Sequence, residues 1–80
     1  MSGARVPPAI DIEIRGPMIR LGQLLKLAGI VDSGADAKLL LQNDQVAVNG
    51  SPEPRRGRQL HDGDLVGVAG QVLCVRTRAG

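Results

Sequence analysis

At 80 residues the chain allows one domain, and a domain of this size buries only about 60% of its unfolded surface, which excludes a large active-site cleft. Phe, Tyr and Trp are all absent, so the core falls to Leu, Ile, Val and Ala, and the aromatic base-stacking that single-strand binders use, worth about 1–3 kcal/mol per ring, is excluded. Ten Lys and Arg against eight Asp and Glu give a net charge of only +2, so the distribution of charge carries more than its sum, while the lone Cys74 excludes an internal disulfide.

In chain order, residues 1–9 are small or proline-rich without periodicity and read as a flexible tail ahead of one domain at 10–78. Ile10, Ile12 and Ile14 alternate with Asp11, Glu13 and Arg15, which predicts a strand with one buried face, at an edge or facing a partner. Leu21, Leu24, Leu25 and Ala28 recur at helical spacing and Gly29 follows, so a first helix is expected from Leu21 to Ala28 with a left-handed cap. Ser33-Gly34-Ala35-Asp36 reads as a capping box opening a second helix through Gln42. Ala37, Leu40 and Leu41 form its inner stripe, which turns Lys38 outward.

Val46 and Val48 mark a short strand, and Asn49-Gly50 is a two-residue hairpin turn because both positions accept positive φ. Pro52 and Pro54 cannot donate to a ladder, so the segment after the turn is an edge or an irregular loop that exposes Arg55, Arg56 and Arg58. Asp62-Gly63 predicts another turn, and Leu65–Val68 and Gln71–Val75 predict two strands joined at Ala69-Gly70. No apolar run is long enough to span a bilayer and no signal pattern follows Met1, which leads to the expectation of a cytoplasmic protein.

Three of the ten basic residues fall within Arg55–Arg58 with no acid among them. Arginine's planar fork can hold a phosphate through two hydrogen bonds, and several on one loop can follow a backbone without reading its sequence. Short basic runs are also common as plain solvated charge. The start of the second helix could attract an anion, but Asp32 and Asp36 repel phosphate there. His61 beside Asp62 and Asp64 lacks the further ligands that zinc needs. Cys74 reads as a small buried thiol, and Ser2, Ser33 and Ser51 have no matching base. Nothing here supports an enzyme.

Taken together, Leu21-Gly22-Gln23-Leu24-Leu25-Lys26, Ser33-Gly34, Ala37-Lys38, Val46–Gly50, Glu53, Arg55–Arg58 and Gly63-Asp64 resemble the alpha-L RNA-binding motif, the domain of ribosomal small-subunit protein four. The resemblance covers residues 18–76 and is nearest to stand-alone bacterial S-four-like proteins. It implies an α+β fold, two helices packed on a small, strongly bent antiparallel sheet. It implies non-catalytic binding of structured RNA, ribosomal or transfer RNA, by a monomer, in association with the ribosome, with no cofactor, metal, membrane or small-molecule substrate. Lys26, Lys38, Arg55, Arg56 and Arg58 stand at the matching basic positions, while Asn49 and Gly50 shape the turn. Arg20 departs from the usual Ser or Thr, which removes a cap worth about 1 kcal/mol. Pro54 and Gln59 replace a small polar residue and a lysine, which stiffens the loop and weakens its patch by one charge. Two other classes remain open at this point: a module docking on an acidic protein surface, and a ubiquitin-like sulfur carrier, against which the Arg78-Ala79-Gly80 ending counts.

Overall fold

The computed structural model describes residues 9–77, so most of the expected tail and residues 78–80 lie outside the described residues. In chain order the elements are β1 (Ala9–Ile14), β2 (Ile19–Arg20), α1 (Leu21–Leu27), α2 (Gly34–Gln42), β3 (Val46–Val48), β4 (Ser51–Pro52), β5 (Gln59–Leu60), β6 (Leu65–Val68) and β7 (Gln71–Thr77). Five strands form one sheet in the order β1-β7-β6-β3-β4, and β2 pairs with β5 in a separate two-stranded sheet.

The fold is α+β as expected, with one pairing that the resemblance does not announce. β1 lies parallel to β7, with Ile10 opposite Leu73 and Ile14 opposite Thr77, whereas β7·β6, β6·β3 and β3·β4 are antiparallel. The sheet is therefore mixed. A parallel pair needs a long crossover, and here both helices and every other strand lie between its two members.

β1 also corrects the expected burial of its isoleucines. Ile14 is buried and Ile12 half-buried, but Ile10 is 46% exposed. The strand occupies the sheet edge and enters the core only at its C-terminal end, so identical period-two positions meet different surroundings.

The core is aliphatic throughout. Leu21, Leu24 and Leu25 of α1 and Ala37 and Leu41 of α2 pack with Val46 and Val48 of β3, Val66 and Val68 of β6, and Leu73 and Val75 of β7. Leu60 of β5 is fully buried in the same cluster, which ties the small sheet to the large one.

Both helix C-termini and the start of α2 follow local chemistry. α1 stops at Leu27, and Gly29 (φ 76°) lets its amide reach the Lys26 carbonyl while Ile30 N donates to Leu25 O, the paired bonds of a Schellman cap. Asp44 (φ 55°) does the same for α2, with Gln45 N donating to Leu40 O. At the start of α2 the Ser33 hydroxyl accepts from Asp36 N at 3.2 Å. Asn49 and Gly50 both take positive φ in the hairpin joining β3 to β4.

Candidate nucleic-acid interface

The arginine loop runs from β4 to β5, and its organiser is an acid. Glu53 N donates to Val46 O at 3.0 Å, which continues the β3·β4 pairing and turns the side chain inward, where it is 7% exposed. Its Oε2 accepts from Arg55 N at 3.1 Å and Arg55 Nε at 3.0 Å. Its Oε1 accepts from Arg55 Nη2 at 3.2 Å and Arg58 Nη1 at 2.8 Å. These donors, the Arg55 side chain foremost, hold the Glu53 carboxyl down at about 2 against the opposing effect of desolvation, and the same pair pushes Arg55 up. The outer ends of the arginines stay accessible, at 71% exposure for Arg55 and 37% for Arg58.

The same loop caps α1. Leu21 N donates to Arg58 O and Gly22 N to Arg56 O, both at 2.9 Å, so two orphan amides of the helix start are satisfied by loop carbonyls. Gln23 Oε1 accepts from Arg20 N at 3.3 Å. Arg20 has no acceptor with which to cap, and it instead donates from Nη1 to Gly57 O at 3.2 Å. The Ser or Thr cap that the resemblance leads one to expect is replaced by backbone-to-loop docking. A Cβ on Gly22 would stand 3.4 Å from Arg56 Cβ, an ordinary van der Waals contact, so the loop lies directly against the first turn of α1.

With the loop docked on α1, the five expected basic residues line three depressions. Lys26 and Arg56 line a groove with Arg20, Gln23, Gly34 and Gly57. Lys38 and Arg56 line a second groove with Leu41, Gln42 and Pro54. Arg55 and Arg58 line a third depression with Gly57, Gln59 and His61, where Asp64 is also present. Arg56 is common to the first two and forms no ion pair among the described residues. Among the described residues, no carboxylate lines the first two grooves.

Asn49, Asp62 and Asp64 serve structural roles. Asn49 Nδ2 donates to Asp64 Oδ1 at 3.2 Å, and Asn49 Oδ1 accepts from Leu65 N at 2.9 Å, which locks the hairpin to β6. Asp64 Oδ2 accepts from His61 N at 2.7 Å, and Asp62 Oδ1 accepts from Thr77 N at 2.9 Å. Both carboxylates beside His61 thus brace turns, and among the described residues no His, Cys, Asp and Glu group is arranged to hold a metal ion. Cys74 is buried in β7. Sequence reasoning missed the anchoring work of Glu53 and the place of Arg20. The one available signal for the first was an acid between two prolines, two and five residues ahead of arginines.

The S4 domain model matches residues 12–76. The chain belongs to the S4 domain family. It is 48% identical over 64 residues to "Probable ribosome maturation protein RlbA" of Bacillus subtilis, covering 80% of this chain and 84% of that one. It is 41% identical over 59 residues to "Putative RNA-binding protein YbcJ" of Escherichia coli, covering 74% and 84% respectively. The solution structure of Escherichia coli YbcJ, described as revealing an alpha-L motif involved in RNA binding, superposes with a TM-score of 0.65 at 31% identity over 95% of this chain and 98% of that one. This S4 domain therefore has the alpha-L architecture, and among its described residues no helix is long and apolar enough to cross a membrane.

Proposed function

We propose that this S4 domain is a non-catalytic binder of structured RNA, which it grips by the phosphate backbone on the face formed by Lys26, Lys38, Arg55, Arg56 and Arg58. The observation that carries the reading is the position of Arg56, an arginine without an ion-pair partner among the described residues that joins the Lys26 groove to the Lys38 groove with no carboxylate lining either. Such a surface suits phosphate position and A-form shape, since the deep major groove of duplex RNA hides base edges. The names and title of the relatives support RNA as the partner, and that of RlbA supports ribosomal RNA in the setting of ribosome maturation.

The test is binding of a labelled RNA hairpin across a series of salt concentrations. Log affinity should fall with log salt by about 0.7–0.9 for each neutralised phosphate. A Lys26→Ala/Lys38→Ala/Arg56→Ala variant breaks no ion pair seen among the described residues, so it should keep its fold while losing affinity and flattening the slope. Removing Arg55 and Arg58 would be a poorer test, because it strands the Glu53 carboxylate. Unchanged binding by the variant would sink the assignment and point to a protein-docking role.

A further inference from the structure

Three cations share one groove. Arg20, Lys26 and Arg56 line the space between α1, the first turn of α2 and the arginine loop, and none of them has an ion-pair partner among the described residues. Like charges so placed repel, and an anion among them relieves the repulsion. Arg20 is held there: its Nη1 donates to Gly57 O at 3.2 Å, which occupies one of the five N–H donors of a guanidinium and leaves the others for a ligand. Its neighbour across the β2·β5 pair is the uncharged Gln59. Gly22 and Gly34 line the groove beside Arg56, where a Cβ would come within 3.4 Å of Arg56 Cβ and 3.8 Å of Arg56 Nη1 respectively.

The site is built from side chains and not from a helix end. The Leu21 and Gly22 amides are already bonded to loop carbonyls. By contrast, Arg55 and Arg58 are partly neutralised by Glu53, and Asp32 and Asp36 at the start of α2 line a separate depression with Ile30 and Leu39, so the cations without an ion pair in this groove are Arg20, Lys26 and Arg56. We propose that Arg20, Lys26 and Arg56 form a subsite for a single phosphate group, a backbone phosphodiester of the bound RNA, which makes Arg20 a sixth cation of the interface. This inference rests on the RNA-binding reading above. Two arginine forks and a lysine point charge match the several acceptor oxygens of one phosphate.

The experiment compares the wild type with Arg20→Gln, Arg20→Lys and Arg76→Gln, the last replacing an arginine that pairs with Asp11 across β1 and β7. Hairpin RNA affinity is measured over a salt series, and each variant's amide NMR spectrum reports whether the fold is kept. Arg20→Gln should reduce the magnitude of the log–log slope by about 0.7–0.9, one phosphate's share, and weaken binding to unrelated hairpin sequences alike. Arg20→Lys should restore the slope and Arg76→Gln should leave it unchanged. A folded Arg20→Gln protein with the wild-type slope overturns the subsite and leaves the RNA reading standing. If the wild type itself shows no salt-dependent RNA binding, the RNA reading falls, and titration with inorganic phosphate decides the subsite. Shifts at Arg20, Lys26 and Arg56 that vanish in Arg20→Gln would then assign it to free phosphate, and their absence would overturn it.

Discussion

Glu53 shows how one buried acid can order a basic loop. Its two oxygens take hydrogen bonds from Arg55 and Arg58, so the loop's backbone is positioned before any ligand arrives. The carboxyl sits at about 2 in the folded protein, against an ordinary value of 4.5. Because the folded value is the lower one, its stabilising contribution is complete above about 4.5 and is lost as pH falls from there towards 2. Urea unfolding of the wild type should therefore show stability dropping across that window. Glu53→Gln should start less stable at neutral pH and decline less over the same range. Parallel pH profiles for the two proteins would contradict the anchoring role.

At the scale of the element, the two helices begin in different ways. α2 opens with a local side-chain cap from Ser33, and Ser33→Ala should cost about 1 kcal/mol in a denaturation midpoint while leaving the denaturant slope unchanged. α1 opens against the arginine loop through Leu21 N and Gly22 N. The first arrangement is legible in four consecutive residues, because the hydroxyl and the amide it serves are neighbours in sequence. The second is not, because the accepting carbonyls at Arg56 and Arg58 belong to a remote segment and backbone atoms leave no mark on residue identity. The same distinction separates the C-terminal caps. Gly29 announces itself as a left-handed residue, whereas Asp44, in the same conformation, is a residue type equally at home in any turn.

For the molecule as a whole, Leu60 is the link between the interface and the core. It is fully buried, it pairs with Ile19, and it closes the segment that begins at Glu53. Leu60→Ala should cost about 2–5 kcal/mol, a large share of the about 4–12 kcal/mol that a domain of this length commands at 0.05–0.15 per residue. RNA affinity should fall with it as the loop loses its footing on α1. Leu39→Ala, at a helix position 58% exposed, should change stability by less than about 0.5 kcal/mol. Chemical denaturation of both variants, with hairpin binding measured below the transition, checks the pair. Equal effects at the two positions would mean that the small sheet is not mechanically coupled to the core.

The sequence by itself determined both helices, the Asn49-Gly50 turn, the β6 and β7 strands and the chemical character of the Arg55–Arg58 loop. Each of these depends on side chains close together in the chain, where periodicity, φ preference and capping act over a few residues. It also carried the motif that places the chain in the S4 domain family. Only the tertiary structure decided that β1 runs parallel to β7 at an edge, that Glu53 lies beneath Arg55 and Arg58, and that Arg20 and Arg56 share a groove with Lys26. Strand partnership, burial of a charge and convergence of like charges are properties of segments that meet across the fold, and they are set by where the aliphatic core draws those segments together.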